Sequence, residues 1–274
     1  PDSMKRFFAL FAALTLLCTG ISAQTAACRT ETGIAYRDAA GDGYVDSLCR
    51  LDICWPADRK GFPTVVWFHG GGLTGGRREI PKALCGKGFA VVGVDYRLAP
   101  RVKVADCVAD AAAAAAWVVK NIASYGGDPR LIFIAGHSAG GYLTSMIGLD
   151  KRWMAPYGID PDTAFAALIP YSGQVVTHFA RRREMGIPDT QVVVDDMAPL
   201  SYVRPDCRPM LILSGDRERE MLGRYEENAY FWRMMRVAGH PDVRICEFDG
   251  FDHGNMPQAG HFVAVRYIRE MERR

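Results

Sequence analysis

The run Thr64–Phe68, Thr-Val-Val-Trp-Phe, narrows most what this chain can become. Five consecutive β-branched, aromatic or apolar residues without polar alternation describe a strand covered on both faces. Runs of the same kind recur at Phe89–Val94, Leu131–Ala135, Phe165–Ile169, Met210–Leu213 and Val243–Phe248. Between and after them stand helical patterns at Arg78–Lys87, Val104–Ser124, Ala139–Leu149, Glu220–Val237 and Gln258–Glu270. Such alternation gives an α/β chain: a mostly parallel central sheet with helices on both faces. Two earlier segments, Ile34–Arg37 and Tyr44–Cys54, are expected to add strands at the start. Ala111–Ala116 gives the long helix a small-residue face on which it can pack closely. With no internal repeat and no long linker, residues 24–274 read as one domain.

In a parallel sheet the ligand lies beyond the carboxyl ends of the strands, so the loops after the runs are where chemistry is sought. After Leu131–Ala135 the chain reads Gly136-His137-Ser138-Ala139-Gly140, which is G-x-S-x-G between a strand and a helix. A turn this tight strains the backbone at the serine and lifts its hydroxyl clear of the sheet, at a helix N-terminus whose spare N–H groups favour a developing oxyanion. After Thr64–Phe68 comes His69-Gly70-Gly71-Gly72. Without Cβ atoms, successive glycines can turn backbone N–H groups into a concave site. Gly71 and Gly72 are the expected oxyanion donors there, with the N–H of Ala139 as the third.

Ser138 needs a base. Of the six histidines, His69 and His137 belong to the two loops just described, and His137, directly before the serine, should point elsewhere. His261 lies in the last helix, His240 at a helix-to-strand turn and His178 in an irregular stretch. His253, just after the last strand in Gly250-Phe251-Asp252-His253-Gly254, can reach the sheet's carboxyl edge and is the expected base. The acid should follow Met210–Leu213, where Asp216, Glu218 and Glu220 compete. Glu218 stands three residues after Gly215, and Asp216 is shorter and nearer the strand end. Glu220 reads as a helix-start carboxylate.

A different reading of the glycine loop is a dinucleotide site, since Gly70, Gly72 and Gly75 match G-x-G-x-x-G and Asp95 follows at the end of the next strand. It leaves G-x-S-x-G without a purpose.

Charge and cysteine content exclude several classes. Lys+Arg is 33 against 31 Asp+Glu, a net charge of +2, so no strong field marks a nucleic-acid binder. The one concentrated basic run, Arg181-Arg182-Arg183, reads as a solvated loop. There is no C-x-x-C, and neither a metal nor a cofactor is expected.

The start of the chain reads as a targeting segment: Lys5-Arg6, then the apolar run Phe7–Cys18, then Ile21-Ser22-Ala23 before a cut at Gln24. Pro1-Asp2-Ser3 precedes the expected start at Met4. The apolar run is too short for a comfortable span, so no stable membrane insertion is expected after cleavage. A lipid anchor on Cys18 is disfavoured because Leu17 stands where a small residue belongs. The cut leaves an odd number of the eight cysteines in a chain expected in the periplasm or outside the cell, where disulfides can form.

Four motifs in order, His69-Gly70-Gly71-Gly72, Asp95-Tyr96-Arg97-Leu98-Ala99-Pro100, Gly126-Gly127-Asp128-Pro129 and Gly136-His137-Ser138-Ala139-Gly140-Gly141, resemble the α/β-hydrolase esterases. The chain is similar to the hormone-sensitive-lipase-like group and its relatives, among them acetyl xylan and feruloyl esterases and kynurenine formamidases. The resemblance implies the α/β-hydrolase fold. It also implies Ser138 as nucleophile, His253 as base, and the N–H groups of Gly71, Gly72 and Ala139 as the oxyanion hole. The chain departs from the group at the acid, where the usual Asp position holds Glu218. The segment Ser172–Val203, with Gln174, His178, Phe179 and Met185, is the expected cover, and Trp153, Met154 and Tyr157 an added apolar wall. The expected activity is hydrolysis of small to medium acyl esters on a small molecule or a glycan, with acetyl or feruloyl groups as candidates. A formamide or amide hydrolase with the same triad, and a non-catalytic binding protein on the same fold, are the alternatives.

Overall fold

The computed structural model describes residues 27–274. The expected signal segment and Cys18 lie outside the described residues. One eight-stranded sheet organises the rest. Its strands are β1 (Cys28–Ala35), β2 (Arg50–Pro56), β3 (Phe62–Phe68), β4 (Ala90–Val94), β5 (Gly127–His137), β6 (Ala167–Tyr171), β7 (Met210–Gly215) and β8 (Val243–Phe248). Their spatial order is β1-β2-β4-β3-β5-β6-β7-β8. β2 pairs antiparallel with β1 and β4, and every later pairing is parallel. The fold is that of an α/β-hydrolase.

β3 shows why the apolar runs became central strands. All seven of its residues are buried. Successive side chains enter opposite layers. Phe62, Val66 and Phe68 join one core with helices α2 (Val104–Asn121), α3 (Ala139–Leu149) and α6 (Arg224–Val237). Val65 and Trp67 join the other, with α7 (Met256–Glu272). Ala111–Ala116 are all buried, and so is every residue of α3. A helix apolar all round is an interior helix.

Three expectations fail locally. Tyr44–Cys54 does not form one strand. Asp42 accepts hydrogen bonds from the N–H groups of Tyr44 (2.8 Å) and Val45 (3.3 Å) and starts the short helix α1 (Gly43–Leu48), so β2 begins only at Arg50. Arg78–Lys87 is not a helix: residues 78–81 have no regular structure and turns follow from Lys82. Pro81 lacks an N–H and disfavours helix at Ile80, while the Arg78 guanidinium is committed to Asp52 (2.8 Å) and Asp95 (2.6 Å). The arginine run is not a solvated loop. It lies in helix α5 (Phe179–Glu184), where Arg182 is buried and donates to the carbonyl of Asp189 at 2.8 Å. The remaining short helix, α4, spans Pro161–Ala164.

The strand order reverses at β3. The chain moves outward to β4 and returns past β3 to β5, so the loops after β3 and β5 diverge from neighbouring strand ends, where such sheets open a crevice. Register places Phe68 opposite Gly136, and His137 opposite Tyr171. The glycine loop, the serine turn and the segment after β6 therefore begin side by side.

Candidate active site

Ser138 stands between β5 and α3 with φ 56°, ψ −113°, a conformation that costs a non-glycine residue about 1–3 kcal/mol. Neighbouring backbone enforces it: the Ser138 N–H donates to Tyr171 O at 2.8 Å, and its carbonyl accepts from Tyr142 N at 3.0 Å. The turn also needs Gly140, because a Cβ there would stand 2.0 Å from the carbonyl oxygen of Phe68. Only a bare backbone lets α3 approach β3 this closely.

The strained turn aims the hydroxyl at His253. Ser138 Oγ lies 2.8 Å from His253 Nε2, and the other ring nitrogen, Nδ1, donates to Oε1 of Glu220 in a short contact. The serine and histidine expected from the sequence therefore meet. The acid does not follow expectation. Glu218 is exposed, and its N–H donates to Asp216 Oδ1 at 2.9 Å. Asp216 turns away from the histidine and accepts the Gly250 N–H at 2.8 Å, tying the loop after β7 to the loop after β8. The N–H groups of Arg219 and Glu220 both donate to Asp216 O, curling the chain so that the buried Glu220 carboxylate faces inward. α6 begins at Arg224, after Gly223 at φ 79°, so Glu220 is a loop residue and not a helix-start carboxylate.

Four donors hold the Glu220 carboxylate. Oε1 accepts from His253 and from the Met221 N–H (3.0 Å), and Oε2 from the Ser172 hydroxyl (2.6 Å) and the Gly215 N–H (3.2 Å). Burial alone would raise its pKa. The hydrogen bonds from His253 and Ser172 outweigh burial and hold the carboxyl at about 2. Ser172 is fixed in turn by Arg224, whose Nη1 donates to Ser172 O at 2.6 Å while its Nε pairs with Glu227 at 2.9 Å. The remaining Glu227 oxygen accepts the N–H groups of Val175 and Val176. Nothing in the spacing pointed to Ser172, Arg224 or Glu227. Gly223 was the one available sign that the helix starts late.

His137 does point away from Ser138, but into the site's frame. Its Nε2–H donates to the backbone carbonyl of His253 at 2.8 Å, bracing the histidine loop. Burial and the neighbouring His253 charge push its pKa down to about 4, so it stays neutral there.

The glycine loop supplies the opposite wall. Gly71 and Gly72 have φ of 111° and 64°, and their N–H groups and that of Ala139 have no acceptor among the described residues. They are available to a ligand oxygen. The Asp95-Tyr96 motif secures the loop: Tyr96 OH donates to His69 O at 2.9 Å, and its ring stacks on the His69 ring at 4.3 Å. The Asp95 carboxylate is engaged by Arg78, and turns rather than a helix follow the glycines. A dinucleotide site needs a helix there and a free acid, so that reading fails.

Among the described residues no group of three or more His, Cys, Asp or Glu side chains is arranged to hold a metal ion, and no helix is long and apolar enough to cross a membrane.

Comparison with known proteins agrees with this geometry. Residues 51–167 match the BD-FAE family. The chain is 29% identical over 240 residues to Esterase LipQ of Mycobacterium tuberculosis, covering 80% of this chain and 56% of that protein. It is 40% identical over 233 residues to a probable isoprenylcysteine alpha-carbonyl methylesterase, ICMEL1, of Oryza sativa subsp. japonica, covering 76% and 54%. The chain thus spans a little over half the length of these relatives. Thermogutta terrifontis esterase 2, solved phosphonylated by cyclosarin, superposes with a TM-score of 0.70 at 26% identity, over 88% of this chain and 94% of that one.

Proposed function

We propose that the chain, which matches the BD-FAE family over residues 51–167 and resembles the α/β-hydrolase esterases in its ordered motifs, hydrolyses carboxylic esters of small to medium acyl groups, with Ser138 as nucleophile. The observation that carries this reading is the continuous relay from Ser138 Oγ through His253 to Glu220. His253 Nε2 takes the hydroxyl proton as Ser138 Oγ attacks the ester carbonyl. Negative charge gathers on the carbonyl oxygen, where the N–H groups of Gly71, Gly72 and Ala139 stabilise it. Glu220, kept ionised by its donors, stabilises the imidazolium. The imidazolium then protonates the departing alkoxide, leaving an acyl-enzyme. Water, deprotonated by His253, attacks the acyl-enzyme, and the carboxylic acid leaves as Ser138 regains its proton.

Phe179 supports a restricted acyl site. A Cβ at Gly72 would stand 2.8 Å from the edge of the Phe179 ring, so the ring overhangs the glycine loop. The segment carrying it is pinned to α3 by Tyr142 OH donating to Met197 O at 2.9 Å. In this reading residues 172–203 cover the site. Acetyl or feruloyl groups on glycans are the proposed natural esters, supported by the BD-FAE match and the motif resemblance. The Lys5–Ala23 segment supports export, and amino-terminal sequencing of the secreted protein should then begin at Gln24.

The reading is tested by hydrolysis of p-nitrophenyl acetate, butyrate and octanoate by wild type and Ser138→Ala. Turnover that declines with chain length in the wild type and vanishes in the variant is expected. Equal rates in both proteins would overturn it, and preferential turnover of anilides or formamides would overturn the ester assignment.

A further inference from the structure

Three cysteines unused by the ester chemistry meet at the antiparallel edge of the sheet. In the β1–β2 pair, Cys28 stands opposite Pro56 and Thr30 opposite Cys54, so Cys28 and Cys54 share a face one diagonal step apart. Cys85, in the turns before β4, approaches the same place. Each of the three thiols interacts electrostatically with another of the set, which places them close together. Exposure is graded across the three: Cys28 is at the surface, Cys85 is half-buried and Cys54 is buried. No set of three or more such side chains among the described residues suits a metal ion, so coordination does not explain the grouping.

We propose that Cys28, Cys54 and Cys85 form a thiol–disulfide site in which Cys54 is the shared partner. A diagonal pair has Cα atoms about 7–8 Å apart, slightly beyond a disulfide's reach of about 4.4–6.8 Å. β1 is the edge strand, paired on one side only and with a register shift between Glu31 and Ile34, so it has room to close that gap. The oxidant is a small disulfide such as oxidised glutathione. The Cys28 thiolate attacks one of its sulfurs and expels a glutathione thiolate, leaving a mixed disulfide. Cys54 then attacks the Cys28 sulfur and expels the second glutathione. Two protein thiols are oxidised, one glutathione disulfide is reduced, and the two thiol protons end on the released glutathiones. Cys85 can afterwards attack the Cys54 sulfur and release the Cys28 thiol, moving the bond without further oxidation. Burial raises all three thiols above their ordinary pKa, so these steps quicken in alkaline buffer.

The test incubates the native protein with oxidised glutathione in mildly alkaline buffer, caps remaining thiols with N-ethylmaleimide, and maps non-reduced tryptic peptides. The expected result is a link from peptide Leu51–Arg59, which holds Cys54, to the peptide ending at Arg29 or to Ala83–Lys87. The thermal midpoint should rise by roughly 5 °C on oxidation and fall back with reductant. Cys54→Ser should abolish both effects and Cys246→Ser neither. Glutathione retained on Cys28 without transfer, links to other cysteines instead, or full capping of all three thiols would overturn the proposal. The mapping is done on the unmutated protein, so it does not depend on a variant folding.

Discussion

Glu220 and His253 meet through Oε1 and Nδ1 across the gap between the loops that follow β7 and β8. Glu220→Gln should therefore lower kcat about 10³–10⁴-fold with little change in KM, because the imidazole loses both its orientation and its counter-charge. Glu218→Gln, on an exposed side chain two residues away, should stay within about twofold of wild type. Asp216→Asn should weaken the tie to Gly250 and lower the thermal midpoint without a comparable loss of kcat. Steady-state kinetics on p-nitrophenyl acetate separate the three. A large loss in Glu218→Gln with none in Glu220→Gln would reverse the assignment.

Ser172 acts through Glu220. It is buried at φ 44°, and its hydroxyl is one of two donors to Oε2. Ser172→Ala should lower kcat about tenfold at unchanged KM. Its hydrogen bond helps depress the Glu220 pKa, so its loss should let that pKa rise from about 2 toward 4.5. The titration of the Glu220 carboxyl, followed by carbon-detected NMR, should then move to higher pH. A purely structural role would lower stability and leave that titration in place.

The sheet and the serine turn were legible because both rest on short-range constraints. A strand buried on both faces needs an unbroken apolar run, and a tight strand-to-helix turn needs small residues around Ser138. The acid was not legible because its position depends on how a loop curls. The turn on Asp216 O and the break at Gly223 carry the inward-facing carboxylate to the fifth residue after Gly215 rather than the third. Arg78–Lys87 misled for a similar reason: a helical apolar pattern does not outweigh Pro81 and two ion pairs made by Arg78. The acid's supporting residues, Ser172 and Arg224, lie 52 residues apart and meet only in the folded chain.

Phe179 overhangs Gly72, so its truncation should enlarge the acyl site. Phe179→Ala should raise the octanoate-to-acetate ratio of kcat/KM about tenfold, the scale of a few methylenes of apolar contact. An unchanged ratio would place the acyl chain elsewhere.

Buried histidines should set part of the acid sensitivity of the fold. Burial holds His137 and His261 at about 4, below their ordinary 6.5. The unfolded chain protonates first, so it binds more protons between those values. Stability from these groups is complete above pH 6.5 and is lost as pH falls to about 4. Urea midpoints over that range should fall less steeply in His137→Gln than in wild type. Parallel slopes would show that His137 does not carry this share.

The central claim is that Ser138 is the activated nucleophile. The most direct measurement is labelling by a fluorophosphonate, read by intact mass and peptide mapping on wild type and Ser138→Ala. The account predicts one adduct per wild-type chain, on the peptide containing Ser138, and none on the variant. Equal labelling of both proteins, or an adduct on another residue, would contradict it.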